Sequence, residues 1–168
     1  YVTADQDLKS EQLIAYELGY RGHFFDALQT DVNVFCHNYE DMDMLPIMLG
    51  PPGLMRENVQ NGYSACMYGV ELDAKYALGK NLTLLGNYTF EVLDIFGNYS
   101  LKGTERMSPP RHKFMLGTRY SPRNDLHLSA HVYYVDNTEG VNPTLPILRQ
   151  DFDSYFRLDL RAEYEFWK

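Results

Sequence analysis

Histidine, methionine, carboxylate and cysteine side chains are the groups here whose types and spacing could do chemistry. His127 and His131 are four apart and share a parity with Ser129. On a strand both face one side, but residues four apart sit ~13 Å apart, too far for one ion to bridge. They read as polar wall residues. His23, His37 and His112 have no nucleophile motif beside them. The run Glu40-Asp41-Met42-Asp43-Met44-Leu45-Pro46-Ile47-Met48 is rich in carboxylate and thioether. Thioether sulfur suits soft ions such as Cu(I), but Met is also an adaptable contact residue. Generic contact with a ligand or a plug is the reading taken. Arg157, Asp159, Arg161, Glu163 and Glu165 form a mixed-charge stripe, read as a charge ladder on the lumen wall that pairs with neighbouring strands or with a plug. No catalytic residue, metal ligand or cofactor is assigned. Asn81-Leu82-Thr83, Asn87-Tyr88-Thr89 and Asn98-Tyr99-Ser100 match the glycosylation acceptor pattern and are taken as chance.

The elements that position these groups announce themselves by period-two alternation. From Tyr68 to Leu78 the even positions read Tyr, Val, Leu, Ala, Tyr, Leu, and the odd ones between include Glu71, Asp73 and Lys75. Phe156 to Phe166 repeats the pattern, with Arg, Asp, Arg, Glu, Glu on the polar parity. In a strand the two sets lie on opposite faces. The same alternation runs through Tyr16–Tyr20, Leu28–Val34, Leu82–Phe90, Phe114–Tyr120 and Leu126–Tyr134. About seven strands are expected, each near or above the ~9–11 residues that cross a bilayer.

The connections alternate in length. Leu78 to Leu82, Tyr120 to Leu126 and Arg21 to Ala27 are short. Glu40 to Tyr63, Leu93 to Arg111 and Asp136 to Asp153 are long and hold most of the prolines. Short turns at one end and long loops at the other are the layout of an outer-membrane barrel. The fold class expected is all-β, an antiparallel transmembrane barrel segment. The alternative is a soluble β-barrel that binds a small ligand, its apolar parity turned inward. A surface or adhesion β-domain is a third reading.

Composition agrees with the barrel. The 168 residues include 14 Tyr, 9 Phe and 1 Trp, and Tyr favours membrane–water interfaces. A net charge of −8 argues against nucleic acid as a partner. Mean hydropathy is −0.40, and no window approaches the ~18 apolar residues of a transmembrane helix. Barrel strands need no such window. The opening Tyr1-Val2-Thr3-Ala4-Asp5 has no signal-peptide pattern, as expected of a mature chain or a fragment.

Cys36 and Cys66 are too few for a disulfide scaffold and lack zinc-knuckle spacing. Cys36 shares the parity of Val32 and Val34, and Cys66 that of Tyr68 and Val70. Both therefore point to the apolar face, near the long-loop ends of strands expected to pair. Directly opposed residues there sit ~4.5–5.5 Å apart, within disulfide range. A bridge and two unpaired small apolar residues are both open readings.

Several segments resemble the C-terminal half of TonB-dependent receptor barrels. They are Ser10-Glu11-Gln12-Leu13-Ile14-Ala15-Tyr16-Glu17-Leu18-Gly19-Tyr20-Arg21, Val34-Phe35-Cys36-His37-Asn38-Tyr39-Glu40-Asp41-Met42, and Gly69-Val70-Glu71-Leu72 with Leu82-Thr83-Leu84-Leu85-Gly86-Asn87-Tyr88-Thr89. Pro109-Pro110-Arg111-His112-Lys113 and Tyr155-Phe156-Arg157-Leu158-Asp159-Leu160-Arg161 follow in the same order. The family commonly has Tyr where Cys36 stands. The resemblance implies that residues 1–168 are part of a barrel of ~22 strands with a plugged lumen. The plug domain, the early strands and the last strands would be missing. It implies a bacterial outer-membrane receptor for uptake of a scarce nutrient, most often a ferric siderophore, with no enzymatic step. Its partners would be outer-membrane lipid, its own plug domain, the TonB complex and the iron-siderophore or a similar small ligand. The ligand-contact candidates in the extracellular loops are Tyr39, Asp41, Asp43, Met44, Arg106 and Arg149.

Overall fold

The computed structural model describes residues 2–4, 6–44, 47–49, 55–97, 108–141 and 149–166. Its regular secondary structure among these is all strand. Seven strands make the main sheet: β2 (Gln12–Phe24), β3 (Leu28–Met44), β5 (Met55–Leu78), β6 (Leu82–Gly97), β7 (His112–Arg123), β8 (Leu126–Val135) and β11 (Tyr155–Tyr164). They lie side by side in the order β11-β8-β7-β6-β5-β3-β2, each antiparallel to its neighbour. Two short strands, β1 (Val2–Ala4) and β4 (Ile47–Leu49), pair with the outer part of β5. β9 (Thr138–Val141) and β10 (Arg149–Phe152) form a separate two-stranded ribbon. The main sheet is open, with β2 and β11 at its edges.

The register turns the alternation of single strands into two continuous faces. One cross-strand row runs Tyr20, Val32, Leu72, Tyr88, Phe114, Tyr134, Phe156 through all seven strands. A one-residue slip anywhere would throw a strand's apolar set to the other side. Aromatic contacts reinforce the row: Tyr134 and Phe156 have ring centroids 4.8 Å apart, and Phe114 and Tyr134 5.2 Å. The adjacent row on the opposite face reads Arg21, Asp31, Asp73, Asn87, Met115, Tyr133, Arg157.

A single-layer sheet has no core between its faces. Among the described residues Ala65 is the buried apolar side chain, whereas Leu18 and Leu160 are each 73% exposed. Such a face is stable only against another apolar phase, and covering one Leu contributes about 1.5–3 kcal/mol. No helix among the described residues is long and apolar enough to cross a membrane; in a barrel the strands do that.

The short connections are hairpins. Phe25–Ala27 joins β2 to β3, closed by Ala27 N–H donating to Phe24 O at 3.1 Å. Phe25 and Asp26 both have φ of +53°, the left-handed backbone of primed hairpin turns. The turn is shorter than the expected Arg21–Ala27, because ladder pairing continues to Phe24↔Leu28. At 79–81 Gly79 supplies a φ of +70°. Each turn is tied to the next strand: Ala77 N–H donates to Ala27 O at 2.8 Å, Ser121 N–H to Asn81 O at 2.8 Å, and Glu165 N–H to Asp125 O at 2.9 Å.

The long connections correct the sequence reading. Glu40–Tyr63 was expected to be loop, yet β3 runs on to Met44 and β5 starts at Met55. The two strands pair from Leu28↔Tyr76 out to Met44↔Gln60, with irregularities between Tyr39 and Asp43. Backbone pairing holds this outer ladder where side-chain alternation has stopped. Likewise β6 extends to Gly97, and the Asp136–Asp153 stretch contains the β9–β10 ribbon.

Candidate functional site

Two surfaces bear on function: the polar face of the sheet and its outer rim. The polar face carries ion pairs. Arg21 Nε donates to Asp31 Oδ2 at 2.7 Å, His37 Nε2 lies 3.2 Å from Glu17 Oε1, and Lys113 Nζ lies 2.6 Å from Glu91 Oε1. Arg157 reaches Asp159 at 3.1 Å and lies 4.2 Å from the centroid of the Tyr133 ring. Arg161 pairs with Glu163. The charges of the terminal stripe therefore pair along β11 itself, Arg157 with Asp159 and Arg161 with Glu163, rather than with a neighbouring strand. Acidic residues of this face include Glu17, Asp31, Glu71, Asp73 and Glu91 on β2, β3, β5 and β6, and Asp159 and Glu163 on β11. The arginines Arg119, Arg157 and Arg161 lie on β7 and β11.

His131 and His127 make contacts within the sheet. The His131 ring covers Gly117, where an added Cβ would meet it at 2.4 Å, and the two residues are opposed in the ladder. Phe35 and Gly69 repeat the arrangement. A ring laid over a facing glycine fills space no side chain occupies. His127 Nδ1 lies 2.8 Å from Ser121 Oγ. Among the described residues no cluster of three or more His, Cys, Asp or Glu could hold a metal ion.

The rim is built around Asn61, which the sequence reading did not single out. Its side chain clasps the backbone of Lys9: Lys9 N–H donates to Asn61 Oδ1 at 2.7 Å, and Asn61 Nδ2 donates to Lys9 O at 3.0 Å. The same Nδ2 donates to Asp41 O and, at 3.2 Å, to Asp43 Oδ1. Lys9 Nζ lies 3.6 Å from Asp41 Oδ1, and Asp43 N–H donates to Glu11 Oε1 at 2.9 Å. Asp41 has a φ of +54°, at the register shift in β3. That shift interrupts the ladder where Asp41 and Asp43 meet the clasp. The 52-residue separation of Lys9 and Asn61 left no local signal in the sequence.

The expected ligand-contact residues fall out as follows. Tyr39, Asp41, Asp43 and Met44 stand on β3, not in a loop, because the outer ladder carries the strand past them. Tyr39 is half-buried and opposite Leu13 and Ala65. Asp41 and Asp43 are brought together at Asn61. Met44 and Arg149 are placed by their backbones, opposite Gln60 and Val141. Arg106 lies outside the described residues.

The family model for the TonB dependent receptor-like β-barrel matches residues 1–168, the whole chain. The chain belongs to the TonB-dependent receptor β-barrel family. Its place is therefore the bacterial outer membrane, with the apolar face toward lipid, the short turns periplasmic and the long connections outside. No curated protein matches it. Among solved structures it is similar to the FrpB iron transporter from Neisseria meningitidis (F3-3 variant), with a TM-score of 0.75 and 14% identity over 98% of this chain and 26% of that one. It is also similar to the ferric-catecholate import receptor Fiu from K12 E. coli, with a TM-score of 0.70 and 19% identity over 98% and 22%. The siderophore receptor PirA from Acinetobacter baumannii gives 0.72 and 16% over 99% and 27%. The chain spans about a quarter of the length of these proteins. They are receptors and transporters rather than enzymes, and the soluble small-ligand barrel is not favoured.

Proposed function

We propose that this chain forms part of the barrel wall and outer rim of a receptor for TonB-dependent uptake of a scarce nutrient, and that the nutrient is a ferric siderophore. The observation that carries the reading is the two-faced sheet, apolar along one side and lined with ion pairs along the other. A wall of that kind meets lipid outside and a hydrated, plugged lumen inside. The likeness to an iron transporter, a ferric-catecholate import receptor and a siderophore receptor supports the choice of nutrient.

In this reading the rest of the receptor supplies the plug domain and the remaining strands. Ligand is captured at the rim, where Tyr39, Asp41, Asp43, Met44, Arg106 and Arg149 are the proposed contacts. TonB then rearranges the plug, and the ligand passes along the polar wall. No bond of the ligand is made or broken by this chain.

The test is transport in the source bacterium. Under iron starvation, deleting the receptor gene abolishes uptake of one radiolabelled ferric siderophore, and deleting tonB does the same. Unchanged uptake of every ferric siderophore offered, with loss of a different nutrient, overturns the siderophore assignment.

A further inference from the structure

Cys36 on β3 and Cys66 on β5 are not directly opposed. Cys36 faces Tyr68 and Cys66 faces Asn38, so the two cysteines are diagonal neighbours on the apolar face. Their Sγ atoms nonetheless lie 3.9 Å apart. Paired strands are rotated by ~20–25° relative to one another, which closes one diagonal of each four-residue cell and opens the other. Both thiols are half-buried and free in the structure.

The position matters as much as the distance. Tyr16 and Tyr68 flank Cys36 in its ladder row, and Asn38 and Asp94 flank Cys66. Aromatic residues give way to polar ones within one step outward, which marks the outer membrane boundary. Beyond it, the β3–β5 ladder becomes irregular between Tyr39 and Asp43. The cysteines therefore sit within the last few regular rungs before the rim.

We propose that Cys36 and Cys66 form a disulfide in the mature receptor, a staple that joins β3 to β5 where the membrane ladder ends and the rim begins. Formation needs side-chain rotation and a small closing of the diagonal. The two thiols release two protons and two electrons, and one S–S bond forms. The electrons pass to a disulfide of a periplasmic thiol oxidase, which leaves as a dithiol. The periplasm lets such a bond persist.

The test uses the full-length receptor taken from outer membranes, with free thiols alkylated at lysis and the denatured, unreduced protein digested for mass spectrometry. The expected result is a peptide linking Cys36 to Cys66, with neither residue alkylated, and its replacement by two alkylatable thiols after reduction. Cys36→Ser should leave Cys66 fully alkylated. Recovery of Cys36 and Cys66 both alkylated without reduction, or linkage of either to a different cysteine, overturns the proposal.

Discussion

Lys113 Nζ lies 2.6 Å from Glu91 Oε1, although the two residues are not opposite each other in the ladder. Lys113 faces Thr89, and the backbone N–H of Glu91 donates to Arg111 O at 3.1 Å. The ion pair thus crosses a diagonal of the β6–β7 ladder on the polar face. Its lysine side chain is 38% exposed and its carboxylate 13%.

Lys113→Gln should therefore destabilise the receptor. The substitution leaves the sheltered Glu91 carboxylate without its cation, at a cost of about 1–3 kcal/mol. Glu91→Gln with Lys113→Gln should recover most of the loss, because two amides can satisfy each other. The temperature at which the folded receptor loses its compact mobility in detergent gels reports the change. Equal losses in the single and double variants would contradict the pairing.

Asn61→Ala should loosen the rim without unfolding the barrel. It removes the donors and acceptor that clasp Lys9 and Asp41, each bond contributing about 0.5–1.5 kcal/mol. Trypsin added to intact cells should cut after Lys9 several-fold faster in the variant. Cutting at the unaltered rate would mean that the clasp does not hold this segment.

Gly69→Ala should impair assembly. A Cβ at Gly69 would stand 2.2 Å from Phe90 O and 2.7 Å from Phe35 Cζ. Overpacking of this kind costs about 1–3 kcal/mol. Adding Phe35→Ala relieves the ring but not the backbone contact, so rescue should be partial. The yield of heat-modifiable receptor in outer membranes measures both effects.

Spin labels at Val70 and Leu72 should be relaxed by oxygen dissolved in the bilayer. Labels at Glu71 and Asp73 should respond instead to water-soluble reagents. The basis is the register, which places Val70 and Leu72 between Val34 and Phe90 and between Val32 and Tyr88, all on one face. The reverse pattern would turn the barrel inside out.

What the sequence made legible is what the membrane enforces. Lipid on one side and a hydrated lumen on the other oblige Tyr68–Leu78 and Phe156–Tyr164 to alternate, so their faces could be read residue by residue. The obligation ends at the outer boundary. Met55–Asn61 reads Met, Arg, Glu, Asn, Val, Gln, Asn, with no alternation to betray a strand, yet backbone pairing to β4, β1 and the end of β3 keeps it extended. For the same reason the sequence pattern at Tyr39, Asp41, Asp43 and Met44 reads as loop. Asn61 escaped notice because a clasp is made by distant partners, and a lone Asn carries no pattern. The cysteines could be assigned to one face from parity, but their diagonal offset depends on register.

β5 is 24 residues long, or ~80 Å of extended chain, whereas the apolar band of such barrels is ~25 Å tall. Even with strands tilted by ~40°, more than half of β5 stands clear of the bilayer, paired to β3 out to Gln60. To an antibody or a phage tail arriving from outside, this is a stiff, folded epitope rather than a floppy loop. Its recognisable shape is shared with the strands paired to it, so serum raised against a linear peptide spanning 55–63 should bind denatured receptor and ignore living cells.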